Sequence, residues 1–134
     1  STPIKSSAAS DVYKRQALAH SDSLGWTMDR YLGIGKVFVA STHKIEYLRP
    51  TFEGDELTML TWVETMDGAK SRRCFYLKRD NKVCMQGWTE WTFVDLQTGR
   101  AADISAEVKK NFPLVPPDDP DLKASGVRRS PSQA

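Results

Sequence analysis

The stretch of the chain that most constrains its fold is Lys36–Thr65, which has the pattern of two long strands separated by a corner. Arg49-Pro50 ends the first strand, because proline has no N–H to give to a sheet, and Glu53-Gly54-Asp55 supplies turn residues. Strict alternation of side chains predicts shared faces for two sets of residues. They are Val37, Val39, Ser41, His43, Ile45 and Tyr47 in the first strand, and Leu57, Met59, Thr61 and Val63 in the second.

Two further strands follow, Lys70–Arg79 and Lys82–Asp95. Asp67-Gly68 and Asp80-Asn81 are residue pairs typical of hairpin turns. Gly87 stands between bulky residues of the last strand, which predicts that another backbone or a ligand approaches closely there.

Short helical segments flank the four strands. The residues from Ala17 to Trp26 have the pattern of the last turns of a helix. Thr27 is a candidate N-cap for a second helix, Met28–Leu32, and Ser105 for a third that continues to Asn111.

Length and composition indicate a single domain. The 134 residues are enough for one core, and neither an apolar run of about 20 residues nor a signal peptide is visible. We therefore expect a cytoplasmic protein with no membrane contact. The two cysteines, Cys74 and Cys84, are expected to be free thiols, because a hairpin turning at Asp80-Asn81 would place Cys84 opposite Leu77.

The two ends of the chain differ from its middle. Residues 6–16, SSAASDVYKRQ, match the in-frame translation of a transposase adapter used in sequencing libraries, so we interpret residues 1–16 as an artefactual leader. Without them the chain has 16 basic and 16 acidic residues, and the formal charge of +2 falls to zero, which argues against nucleic-acid binding. Residues 113–134 hold five of the seven prolines and predict a flexible tail.

Three sequence strings in the right order resemble hotdog-fold acyl-CoA thioesterases, the 4-hydroxybenzoyl-CoA thioesterase-like superfamily. The first is Ala-x-x-His-Ser-x-x-Leu-Gly from Ala17, at the end of the predicted helix. The second is Tyr-Leu-Arg-Pro from Tyr47, followed by Gly-Asp-Glu-Leu from Gly54. The third is Phe-Val-Asp-Leu-Gln-Thr-Gly-Arg from Phe93. The resemblance spans about residues 17–112, which we take as the domain.

The resemblance implies an α+β hotdog fold, an antiparallel sheet wrapped around a central helix. Members of the family have five strands and usually dimerise, so a homo-oligomer, a dimer or a tetramer, is expected. Only four strands and the end of the helix are recognisable here, which implies that the first strand is missing. The family's Asp-x-Asp-x-x-Gly-type motif, whose carboxylate acts on the attacking water, has no counterpart in this sequence.

The catalytic carboxylate is therefore expected before Ala17, and the chain as printed is expected to be an impaired enzyme. Two residues of the helix end are weaker candidates for catalysis. His20 either lines the pocket near the thioester or is a surface histidine. Asp22 either acts as the base or is a solvated carboxylate. His20 and His43 have no metal-ligand spacing with the acidic residues, so neither a metal site nor another cofactor is predicted.

Four residues are predicted to bind the substrate. Arg72 and Arg73 are suited to the phosphates of coenzyme A, although neighbours in a strand point to opposite faces. Tyr47 and Arg49 are expected to shape the pocket. Alternatively, the cations form a solvated surface balanced by acidic residues, with Arg73 stacked on Trp88.

The function implied by the resemblance is hydrolysis of an acyl-CoA to a free acid and coenzyme A. Two alternatives remain open at this point. One is a noncatalytic hotdog module that binds acyl-CoA, and the other is a thioesterase for acyl groups on acyl carrier protein.

Overall fold

A four-stranded antiparallel sheet forms the centre of the molecule. The computed structural model describes residues 24–124 and 130–133. The strands are β1 (Lys36–Tyr47), β2 (Thr58–Asp67), β3 (Lys70–Arg79) and β4 (Lys82–Asp95), in the order β1-β4-β3-β2. The four predicted strands are thus confirmed, β3 and β4 with the predicted bounds. The first two strands lie at opposite edges, because the β3–β4 hairpin is inserted between them.

Local turn chemistry explains the hairpins. Asp80 and Asn81 have φ values of 50° and 63°, and two successive positive φ angles match the twist of the flanking strands. The predicted close approach at Gly87 is also confirmed. A Cβ atom there would collide with the carbonyl oxygen of Lys44 on β1, so the group that approaches is backbone.

Two bulges decide which side chains share a face. The β1–β4 register shifts between Ala40 and Thr42, so the extra residue Ser41 reverses the alternation. His43 and Tyr47 therefore share the face of Ala40, and the predicted single face that joined them to Val37 and Val39 is wrong. The residue types around Ser41 do not predict such a bulge.

The second bulge lies between Val63 and Thr65, at Glu64. Before it, Met59, Thr61 and Val63 pair with residues of one face of β3, as predicted.

We name the two faces of the sheet by what lies on them. The cavity face carries Phe38, His43, Ser71, Arg73, Phe75, Thr89, Trp91 and Phe93. The tail face carries Trp62, Arg72, Cys74, Tyr76, Trp88 and Glu90.

Both cysteines are buried and free, as predicted. The detailed register differs from the expectation, since Leu77 pairs with Met85 and not with Cys84. The reason is an irregularity in the ladder between Leu77 and Lys78. Cys74 lies opposite Trp88.

In the described part of the chain, three short α-helices lie outside the sheet: α1 (Met28–Ile34), α2 (Ala106–Lys109) and α3 (Pro120–Ala124). Thr27 caps α1 by accepting a hydrogen bond from the N–H of Arg30, and Gly35 ends it in the left-handed conformation. The helix is two residues longer than predicted. Ser105 caps α2 as expected, but α2 ends at Lys109 and does not reach Asn111.

The aromatic core on the cavity face fixes α1 and α2 against the sheet. Trp26 and Tyr31 are 5.0 Å apart between ring centroids, and Tyr31 meets Phe38 edge to face at 5.9 Å. Val108 and Phe112 pack into the same buried cluster. Most of the helix predicted from Ala17 to Trp26 lies outside the described residues, as do residues 1–16.

The tail face is covered by the described part of the segment for which a flexible tail was predicted. The N–H of Val115 donates to the carbonyl of Val63 at the β2 edge, and Leu122 of α3 packs with Trp62 and Tyr76. Residues 130–133 end in a 3-10 helix, Pro131–Gln133, beside the sheet. The described part of this segment is packed, because the sheet supplies apolar surface that a proline-rich segment lacks by itself.

Candidate functional site

A cavity of about 90 Å³ lies on the cavity face, between the sheet and α1. The aromatic contacts of Tyr31 hold α1 over the ends of the strands and leave this space beside them. Most of the described lining is apolar: Met28, Tyr31, Val37, Phe38, Val63, Met66, Trp91 and Phe112. A mainly apolar concavity with a few polar groups is the usual form of a small-molecule site.

Three residues of the sheet that carry polar groups line this apolar space. Ser71 and Arg73 lie two residues apart on β3, line the cavity, and are only 4% and 5% exposed. Trp91 on β4 is the direct partner of Ser71 across the ladder. Its Nε1–H is buried and has no hydrogen-bond partner within residues 24–124 and 130–133. An indole N–H can only donate, so among the described residues this atom is a covered donor without an acceptor.

A polar row crosses the sheet next to these donors. Thr89 lies opposite Arg73 on one side and opposite His43 on the other. The Nδ1 atom of His43 is 2.5 Å from Oγ1 of Thr89, and the imidazole stacks on Phe75 at 6.3 Å. His43 thus occupies a strand position in contact with its neighbours.

The two adjacent arginines face different surroundings, as their alternation predicted. Arg73 lines the cavity, whereas Arg72 lies on the tail face with its guanidinium carbon 4.1 Å from the ring centre of Trp88. Arg72 also forms an ion pair of 3.5 Å with Glu90. The suggested stacking of Arg73 on Trp88 is therefore wrong, because Trp88 pairs with Cys74 and shares the face of Arg72.

Tyr47 and Arg49 lie at the far end of β1, away from the cavity. Tyr47 is 56% exposed and pairs with Met85. Arg49 donates through Nη1 to the carbonyl of Val83, at 2.7 Å. The structure thus places the four predicted substrate-binding residues in three places, and only Arg73 lines the cavity. His20 and Asp22 lie outside the described residues.

A buried carboxylate that the sequence did not single out lies on the other side of the sheet. Glu64 is 6% exposed and accepts hydrogen bonds from the hydroxyls of Ser130 and Ser132 at 2.5 and 2.6 Å. The thiol of Cys74 also donates to it, at 3.3 Å. Glu64 therefore anchors the end of the chain to the sheet.

Burial and the neighbouring Glu64 carboxylate raise the pKa of Cys74 to about 12. The thiol is therefore protonated at neutral pH, and Cys74 is not a nucleophile there. Burial likewise raises the pKa of Tyr76 on the same face.

The described part of the chain contains no group of three or more His, Cys, Asp or Glu side chains that could hold a metal ion. None of its helices is long and apolar enough to cross a membrane.

The chain was compared with known proteins by sequence and by structure. A family model described as the thioesterase-like superfamily matches residues 11–112. A search of curated protein sequences found no match.

Several solved structures have a similar fold. A hypothetical protein from Aquifex aeolicus has a TM-score of 0.75 at 15% identity, with 83% of this chain and 86% of that chain covered. The protein SAV2348 from Staphylococcus aureus, solved in complex with CoA, has a TM-score of 0.73 at 12% identity, with 86% and 78% covered. BH1999, a gentisyl-coenzyme A thioesterase, has a TM-score of 0.71 at 10% identity, with 83% and 87% covered. Together with the family match, these likenesses confirm the α+β hotdog fold.

Proposed function

The chain belongs to the thioesterase-like superfamily, and on that premise we propose that it hydrolyses the thioester bond of an acyl-coenzyme A. The observation that carries the proposal is the family match over residues 11–112. Coenzyme A as the carrier is supported by two proteins of similar fold, one solved in complex with CoA and one named a gentisyl-coenzyme A thioesterase.

The geometry of the cavity face supports binding of the acyl group. The apolar lining favours the hydrocarbon part of an acyl group, and Ser71 and Arg73 place a hydroxyl and a guanidinium group in the same lining. In the reaction, a water oxygen bonds to the thioester carbon and a base takes a proton from the water. The C–S bond then breaks, and the sulfur leaves as the thiol of coenzyme A after taking up a proton.

The group that activates the water stays a prediction. Glu64 is a poor choice for it, because both of its oxygens already accept hydrogen bonds on the tail face. The carboxylate expected before Ala17, or failing that His20 or Asp22, is our proposed base. A positioned base contributes about 10²–10⁴-fold to such a step, so its absence would leave slow turnover but intact binding.

The carrier end of the substrate is proposed to lie along the surface at the end of β1. Arg49 is exposed there, and its single described hydrogen bond to Val83 uses one of the five N–H groups of the guanidinium. A phosphate of coenzyme A can take the remaining donors, with Tyr47 beside it. Arg72 is directed to Trp88 and Glu90, so we propose for it at most an indirect role.

The proposal is tested by measuring the thiol released from a panel of acyl-CoA substrates by the purified chain. The same acyl groups on acyl carrier protein are measured in parallel, and binding is followed by calorimetry with non-hydrolysable CoA thioethers. We expect slow but saturable release of free coenzyme A. Tight binding without any release would instead identify a noncatalytic acyl-CoA-binding module. Faster release from acyl carrier protein than from coenzyme A would identify the protein-carrier thioesterase.

A further inference from the structure

Two walls of the cavity are tied to the tail, the segment that follows Phe112. Phe112 and Val63 both line the cavity, are both buried, and belong to one hydrophobic cluster. The N–H of Val115 donates to the carbonyl of Val63 at 2.8 Å. The start of the tail therefore links one cavity wall to the other, through residues that are not part of the described lining.

The tail is fixed a second time, on the residue next to Val63. Glu64 follows Val63 in β2, and neighbouring residues of a strand point to opposite faces, so its carboxylate lies on the tail face. Its two oxygens accept hydrogen bonds from the hydroxyls of Ser130 and Ser132, at 2.5 and 2.6 Å. We call Glu64, Ser130 and Ser132 the tail clamp. Hydrogen bonds to a carboxylate are among the stronger ones in proteins, so the clamp holds the part of β2 that carries Val63.

The position of β2 in the sheet makes this support important. Among the described residues β2 is an edge strand, with a neighbour, β3, on one side. An edge strand lacks a second ladder of hydrogen bonds, and the tail supplies a hydrogen bond at Val63 on that side. A site whose walls are already in place binds more tightly, because the ligand does not have to order them. Loosening the tail would therefore weaken binding of whatever part of a ligand touches Val63 and Phe112.

Resting on the proposed function, we propose that the tail clamp positions the cavity walls that hold the acyl group of the substrate. The clamp acts through Val63 and Phe112 on the acyl part alone. It does not act on the coenzyme A part, for which the proposed contacts lie at the far end of β1. Glu64, Ser130 and Ser132 are thus positioning residues, which touch no substrate atom.

The experiment measures binding to the full chain, so that it does not depend on turnover. Calorimetry gives the Kd of coenzyme A and the Kd of its hexyl thioether, and the ratio of the two measures the contribution of the acyl part. Ser132→Ala removes one hydroxyl of the clamp, and Ser132→Thr keeps a hydroxyl at the same position. We expect Ser132→Ala to lower the ratio about 5-fold, as for one lost hydrogen bond, and to change the Kd of coenzyme A by less than about 2-fold. Ser132→Thr should keep the ratio of the parent protein.

A second measurement uses the reciprocity of coupled binding. If the docked tail favours the acyl group, the bound acyl group must favour the docked tail by the same free energy. The amide of Val115 reports on docking, because it donates to the carbonyl of Val63. Its hydrogen exchange should slow when the hexyl thioether is bound to the parent protein, and it should not change with coenzyme A alone.

Several results would overturn the inference, and they are distinguishable from failure of the proposed function. An unchanged ratio in Ser132→Ala, or an equal loss in Ser132→Thr, would show that the clamp hydroxyl does not position the acyl site, while binding of coenzyme A would stand. An equal weakening of both ligands in Ser132→Ala would show that the clamp supports the fold as a whole. Binding of neither ligand to the parent protein would overturn the proposal that coenzyme A is the carrier, and this inference with it.

Discussion

On the tail face, the buried carboxylate of Glu64 receives hydrogen bonds from Ser130, Ser132 and Cys74, all supplied by the chain itself. On the cavity face, the buried residues Ser71 and Arg73 line a mainly apolar space that opens beside the sheet. A polar cluster that is complete within the chain stabilises the fold, whereas polar side chains in the lining of an apolar concavity are suited to an incoming ligand. The contrast assigns a structural role to the tail face and a binding role to the cavity face.

The largest effect is expected from Gly87→Ala, a substitution on the cavity face. It tests whether the space beside Gly87 is filled by the backbone of β1 or is open to a ligand. The new methyl group would meet the carbonyl of Lys44 and the ring of Phe75, so β1 and β4 could not keep their spacing. We expect the free energy of unfolding to fall by about 3 kcal/mol or more in urea denaturation. Gly33→Ala is the control, because nothing lies within 4 Å of its added Cβ in α1. It should be neutral or stabilising, and an equally mild Gly87→Ala would contradict the close packing.

Glu64→Gln would break the hydrogen-bonded cluster on the tail face while keeping the shape of the side chain. One oxygen acceptor and the charge are lost, so Ser130 and Ser132 can no longer both donate to a carboxylate. The expected loss of unfolding free energy is about 1–3 kcal/mol. Glu53→Gln, at an exposed turn, should change it by less than about 0.5 kcal/mol. If both variants unfold alike, the tail is not anchored by Glu64.

The two edges of the sheet differ as the faces do. The tail covers the β2 edge at Val63, while β1 forms the other edge of the sheet among the described residues. Val39 in β1 and Leu48 just after it are exposed. We propose that a second copy of the chain pairs there, since an open edge exposes unpaired backbone groups. Lysine at Val39 or Leu48 should weaken the dimer roughly 10-fold, in sedimentation velocity at several concentrations. Lysine at Leu96, exposed beyond β4, is the control, and a monomeric parent protein would contradict the pairing.

A smaller effect, confined to alkaline pH, is expected from Cys74. Its pKa is raised from the ordinary value of 9.0 to about 12, so the folded state favours the protonated thiol. This contribution to stability is complete below pH 9 and is lost as the pH rises from 9 towards 12. Unfolding free energy should therefore decline more steeply over that range in the parent protein than in Cys74→Ala. If the two proteins show the same dependence of unfolding free energy on pH, the ionisation of Cys74 does not contribute to stability.

Much of the fold was predictable because its signals are local. The turn pairs at Asp67 and Asp80, with the alternation of β3 and β4, determined the strands to within a residue. The cap at Thr27 was equally local. The reversal of faces within β1 was not predictable, since the bulge at Ser41 is set by pairing with β4 and has no marker of its own.

The candidate site was predictable only in part, because burial and partners depend on distant contacts. Arg73 was predicted to bind the substrate because of its charge. Only the folded sheet shows that it lies apart from Arg72 and Tyr47. The buried N–H of Trp91 could not be recognised among four tryptophans. The role of Glu64 depends on Ser130, which lies 66 residues further along the chain.

The most direct test of the contrast between the faces uses the adjacent arginines. Arg73→Met and Arg72→Met remove the same charge from neighbouring positions of β3, one at the cavity and one over Trp88. The measurement is kcat/KM for acyl-CoA hydrolysis, with urea denaturation of both variants to separate loss of fold from loss of function. Binding of the non-hydrolysable thioether replaces kcat/KM if turnover is too slow to measure. We predict a loss at least about 10-fold larger for Arg73→Met than for Arg72→Met, in line with a lost charged hydrogen bond. An equal or larger loss for Arg72→Met would contradict the assignment of binding to the cavity face.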